Sequence, residues 1–186
     1  MKFAAAIATS TAQGRKGRCF RQNLLRFGGL AAAALVFATF ASAAVAQENT
    51  THWTCQGVGT SPAEPLGDRE GHSISVGQYS CRAESGPWAG SVGGGTDMWE
   101  WNGAKATMLA EQGITRKPGA TLAWQGTEGE VTLTMSDGKV TGWTGSGRGK
   151  NLLATGDWAS KAGTMYHWTA KSVGPSSQFT IDATNE

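Results

Sequence analysis

Beyond residue 50 the chain alternates apolar and polar residues in short runs separated by glycine-rich punctuation. A period of two marks strands with one buried face. Residues 51–58 (THWTCQGV) set Trp53 and Cys55 against His52, Thr54 and Gln56. Residues 72–82 place Ile74 and Val76 on one face, Tyr79 and Cys81 on the other. Residues 96–102 (TDMWEWN) read as a third strand. Residues 105–116 (KATMLAEQGITR) would make two helical turns in isolation, but their shortness and their neighbours favour a strand. Residues 120–147 read as a meander of three strands (121–125, 130–135 and 139–145), broken at Gly126-Thr127-Glu128-Gly129 and at Asp137-Gly138. Asp-Gly is the strongest hairpin signal, because it readily takes the two positive φ angles of a type I′ turn. Residues 151–158 are irregular or a short strand. Residues 163–173 form a long strand with Tyr166 and Trp168 on one face, and 178–183 a last one with Phe179 and Ile181 together. Eight or nine strands at roughly 8–12-residue spacing predict an all-β barrel or sandwich. A single antiparallel barrel of about eight strands is the expected fold.

The first 46 residues do not share this pattern. Lys2, Arg15, Lys16, Arg18, Arg21 and Arg26 form a basic segment without an acid, followed by an uncharged apolar run over residues 28–41 and by Ala44-Val45-Ala46. That order predicts a secretory signal cleaved after Ala46, with residues 47–186 as the barrel domain in the periplasm or outside the cell. The rival is an uncleaved anchor, but the run is shorter than the roughly 20 residues a spanning helix needs. No Arg-Arg pair supports a twin-arginine route, and Cys19 precedes the apolar run, where a lipoprotein cysteine would not lie. Six of the 16 Lys and Arg and none of the 14 Asp and Glu precede Gln47, so the remainder carries 10 cations against 14 anions, a net −4. This excludes a basic nucleic-acid surface, and no later segment is apolar enough to insert stably in a membrane.

Two cysteines follow the signal. In an oxidising compartment Cys55 and Cys81 are expected to pair, and strands 51–58 and 72–82 would bring them together as neighbours. No C-x-x-C and no Cys/His cluster at ligand spacing points to a metal, and no cofactor is expected. All eight Trp lie beyond residue 47, among many Gly and few Leu and Ile. Gly93-Gly94-Gly95 implies either flexibility or a close backbone approach. No G-x-x-x-x-G-K-[ST] is present, so it is not a phosphate loop. The run Gly145–Gly149 (GSGRG) reads as a bulge or tight barrel corner where a side chain would not fit, in preference to an anion nest.

Two stretches carry a resemblance: GDREGHS (residues 67–73) leading into a strand, and TGSGRGKNLLATGDW (residues 144–158). Both are similar to small secreted barrels of the allene oxide cyclase-like and dirigent-like superfamily. The resemblance implies an eight-stranded antiparallel barrel, often oligomeric, with a cavity at one end, and in plant members the guiding of cyclisation or coupling of apolar substrates. None of that superfamily's catalytic residues matches a position here. A lipocalin-like or avidin-like barrel fits the same strand count.

Candidate chemistry is sparse. Asp68, Glu70 and His72 form the densest polar group: a carboxylate could orient His72 as a general base, or the acids shape a turn while His72 starts the next strand. Glu100 lies between Trp99 and Trp101 and faces opposite to them. If the tryptophans point inward, Glu100 is a solvated outer residue. If Glu100 points inward, it is a buried carboxyl with a raised pKa. Trp99, Trp101, Trp124 and Trp143, with Glu100, Asp68 and His72, are the candidate ligand-binding residues. There is no G-x-S-x-G and no H-E-x-x-H. The sequence therefore predicts an exported, non-catalytic barrel that binds a small apolar or aromatic ligand or serves structurally in the envelope, with homo-oligomerisation open. The alternative is an isomerase or cyclase using Asp68, His72 or Glu100 inside the cavity.

Overall fold

The computed structural model describes residues 49–60, 62–174 and 176–186; the expected signal segment and its cleavage point lie outside them. Nine strands form: β1 (Thr50–Thr60), β2 (Glu64–Pro65), β3 (His72–Ser85), β4 (Val92–Asn102), β5 (Lys105–Lys117), β6 (Ala120–Ser136), β7 (Lys139–Ala154), β8 (Met165–Ser172) and β9 (Gln178–Asn185). From β3 to β9 each strand pairs with the next, β9 pairs with β1, and β1 pairs with β3. All these pairings are antiparallel, so eight strands close into a barrel, with the two-residue β2 lying on β3. Closure leaves no long edge strand to be blunted. A short 3-10 helix, Gly156–Lys161, follows β7.

The expected hairpin forms where Asp137 and Gly138 take φ of 50° and 73°, pairing Ser136 with Lys139. The expected turn at 126–129 does not form. β6 runs straight through it, and a register shift between Gly126 and Glu128 makes it a β-bulge. Two long strands therefore replace the three-strand meander. The glycines that suggested a turn are instead needed for space, since a Cβ at Gly126 would lie 2.6 Å from Glu111 Oε2 and 2.7 Å from the Met108 sulfur. Gly93-Gly94-Gly95 likewise belongs to a strand, β4, rather than to a flexible connection. Residues 151–154 extend β7.

This is why Gly and Trp are abundant together. Glycines on the inner face leave room for rings from neighbouring strands. A Cβ at Gly95 would sit 2.8 Å from the Trp124 ring, and one at Gly147 would sit 2.6 Å from Trp168. Inner-face side chains, joined by Trp88 from the β3–β4 connection and Trp158 from the 3-10 helix, form two apolar clusters. One holds Ala83, Trp88, Ala120, Leu122 and Trp158, with Trp53 and Trp124 against it. The other holds Trp99, Ala106, Val131, Trp168 and Ala170, with Trp101, Met108, Trp143 and Tyr166 against it. Cys55 and Cys81 are direct partners of β1 and β3, and are joined in a disulfide with Cα atoms 4.1 Å apart.

Candidate functional site

The two clusters do not fill the barrel. Between and beside them lies a cavity of about 410 Å³, within the range of roughly 300–1,000 Å³ typical of small-molecule pockets. Seven of the eight tryptophans line it: Trp53, Trp88, Trp99, Trp101, Trp124, Trp143 and Trp168. Tyr79, Tyr166 and Phe179 add further rings. Tyr79 stacks with Trp124 at 6.5 Å between centroids and meets Phe179 edge-on at 5.7 Å, and Trp143 tilts against Phe179 at 5.4 Å. The Trp101 indole N–H donates to Ser75 Oγ at 2.8 Å. The Trp168 indole N–H, by contrast, is a buried donor with no partner among the described residues.

Into this aromatic lining project two carboxyls, Asp97 and Glu111. They are directly opposed on β4 and β5, a spacing at which same-face side chains meet. Alternation along β4 turns Asp97, Trp99 and Trp101 inward together. On β5, Ala106 and Met108 pack inside with the second cluster, and simple alternation would then turn Glu111 out. The pairing shifts between Met98 and Trp99, so that Trp99 meets Met108 while Met98 meets Ala110. The extra residue, Leu109, makes a β-bulge, which reverses the alternation and brings Glu111 inside.

Each carboxyl is held. Tyr79 donates its hydroxyl to Glu111 Oε1 at 2.6 Å. The Trp99 side chain and the Gly77 backbone N–H donate to Asp97. No Lys, Arg or His is among the lining residues described. Burial is therefore the dominant electrostatic effect. It pushes Glu111 up to about 7, outweighing the Tyr79 hydrogen bond, and Asp97 adds a smaller push in the same direction. Burial also raises Asp97 against its two hydrogen bonds, and it raises the Tyr79 and Tyr166 hydroxyls, each with a further push from Glu111. Near neutral pH the site thus holds a carboxyl poised between its acid and its anion, facing an apolar wall.

Of the residues singled out in the sequence, Trp99, Trp101, Trp124 and Trp143 line the cavity; Asp68, His72 and Glu100 do not. These three meet instead on the outer side of β3 and β4. His72 Nδ1 lies 2.6 Å from Asp68 Oδ1, and Nε2 lies 2.7 Å from Glu100 Oε1. Arg69 contacts Asp68 at 3.0 Å and Asn102 at 2.7 Å. A carboxyl group thus stands at each ring nitrogen. The hydrogen bond to Asp68, then that to Glu100, raise the His72 pKa, and the same bond to His72 lowers Asp68. Held from both sides, His72 clamps the 68–72 turn to β4, outside the cavity lining. The isomerase or cyclase alternative expects Asp68, His72 or Glu100 inside the cavity; none of the three is among its lining residues, since strand alternation turns Glu100 and His72 outward. The remaining histidines do not join them. His52 pairs with Asp182 at 2.6 Å, and no group of three or more His, Cys, Asp and Glu among the described residues could hold a metal.

Asp97 shares a strand face with Trp99 and Trp101, so the alternation that assigns Glu100 to the outside also assigns Asp97 to the inside. Glu111 gives no such signal, because the bulge that turns it inward is a property of the pairing. Comparison with protein-family models, with curated proteins and with solved structures finds no match to this chain.

Proposed function

We propose that the protein is a non-catalytic binding protein that holds a small apolar or aromatic ligand inside the barrel. The observation that carries this reading is the cavity of about 410 Å³ walled by seven tryptophans. Protein interiors are normally packed to crystal density with few voids larger than a water, so rings that served only to fill volume would leave no such space. Flat aromatic walls favour planar, apolar guests, and the buried Trp168 N–H, without a partner among the described residues, offers a donor to a guest's hydrogen-bond acceptor. A barrel of eight antiparallel strands is common to several superfamilies. Kinship with the allene oxide cyclase-like barrels therefore rests on the two glycine-dominated stretches, and export on the basic-apolar-Ala-x-Ala order before Gln47. Titrating the protein with a panel of planar apolar probes while following tryptophan emission tests the reading. A saturable change is expected with at least one probe. No change with any probe up to its solubility limit overturns it.

A further inference from the structure

A cavity built only for a neutral apolar guest has no use for carboxyls, yet Asp97 and Glu111 stand opposed inside it. A neutral apolar guest would desolvate these carboxyls further and give them no new partner, an unfavourable outcome for a polar group and worse for an anion. Nothing in the described lining balances the pair: the titratable groups facing Glu111 are Asp97 on β4, Tyr79 on β3 and Tyr166 on β8, all anionic when they ionise. The β6 residue directly opposite Glu111 is Gly126, which has no side chain to pair with the carboxyl. Aromatic rings, whose faces attract cations, line the cavity around the pair, among them Tyr79, whose hydroxyl holds Glu111, and Trp124.

We propose that the natural guest is an organic cation, an amine carried on an aromatic or apolar body, with its ammonium at the Glu111–Asp97 pair and its body among the indoles. This rests on reading the cavity as a binding site and names the chemical class that the site selects. Binding draws the Glu111 proton off, so affinity rises with pH until Glu111 is ionised in the free protein. Asp97, held by Trp99 and Gly77, supplies the second carboxyl to the ammonium.

The test is calorimetric titration of the full chain with naphthylmethylamine and with its neutral isostere naphthylmethanol, each at about pH 6 and about pH 8, where Glu111 changes charge. The amine is expected to bind at least about tenfold more tightly than the alcohol near pH 8, and to weaken by up to about tenfold for each pH unit below the Glu111 midpoint, while the alcohol changes little. Glu111→Gln is expected to abolish the pH dependence and most of the amine preference, and Asp97→Asn to reduce the preference. The wild-type comparison needs neither variant to fold. Equal binding of amine and alcohol at both pH values, or an amine preference retained in a folded Glu111→Gln variant, overturns the cation proposal and leaves apolar binding standing. Binding of neither probe counts against both.

Discussion

Glu111→Gln is the perturbation that most sharply separates the buried-carboxyl account from a description of the barrel as scaffold alone. The substitution keeps the shape and the acceptor for Tyr79 but removes the titrating proton. The Glu111 pKa is raised from an ordinary 4.5 to about 7. At about 1.4 kcal/mol per pH unit, ionising the folded site costs about 3 kcal/mol more than ionising the unfolded chain. The folded state keeps its proton where the unfolded state has lost it. Stability from this group is therefore full below about pH 4.5, declines as pH rises, and is lost above about pH 7. The Gln variant lacks this decline. Urea unfolding of both proteins, with the disulfide intact, at about pH 4, 5.5, 7 and 8.5 should give nearly equal stabilities at the acid end and a variant ahead by about 3 kcal/mol at the alkaline end. His72 and Asp68 titrate in both proteins and cancel in the difference, while Asp97 shifts slightly once its neighbour is neutral. A difference that stays flat within about 1 kcal/mol across that range refutes the account of Glu111 as a desolvated, uncompensated carboxyl.

Other expectations follow from single features. Replacing Cys55 and Cys81 together by Ser opens a loop spanning 26 positions and should lower stability by about 3 kcal/mol in the chain-entropy model, read as a lower urea midpoint. Gly113→Ala would drive a Cβ into the Trp124 ring and the Gly94 carbonyl. A loss of about 1–3 kcal/mol is expected, and an unchanged midpoint would contradict the account of inner glycines as ring sockets. His72→Gln should lower the melting temperature more at about pH 5.5 than at about pH 8, because a raised histidine pKa stabilises below its ordinary 6.5 and that contribution fades as pH climbs through the native value. Equal losses at both pH values would show that the clamp is not ionic. The same variant should leave probe binding in the cavity unchanged.

The parts of the fold that were legible are those written in local chemistry. Alternation marked the strands, Asp137-Gly138 marked the hairpin, and Cys55 and Cys81 marked a neighbouring strand pair. Features that depend on register were not legible. The bulge at 126–129 looked like a turn because two glycines and two polar residues in sequence are the composition of a turn; only the partners Met108, Glu111 and Trp168 show why glycine stands there. The 68–72 turn was visible as a polar group, yet Glu100 joins it through pairing of β3 with β4, where His72 faces Asn102 and Ile74 faces Glu100. Four candidate tryptophans lie on the cavity wall because alternation is reliable over a few residues. Glu111 escaped notice because a single extra residue at Leu109 reverses that alternation.

The central claim is that the tryptophan-lined interior is a binding site, and the indole N–H resonances of the eight tryptophans test it directly. Seven of these rings line the cavity, and Trp158, packed beyond Trp88 at 4.6 Å, does not. Titration of isotope-labelled protein with an aromatic amine, followed in the indole region of the proton–nitrogen correlation spectrum, should move Trp99, Trp124 and Trp168 saturably and Trp158 least. Shifts absent at saturating probe, or confined to Trp158 and outward-facing backbone amides, would contradict the account.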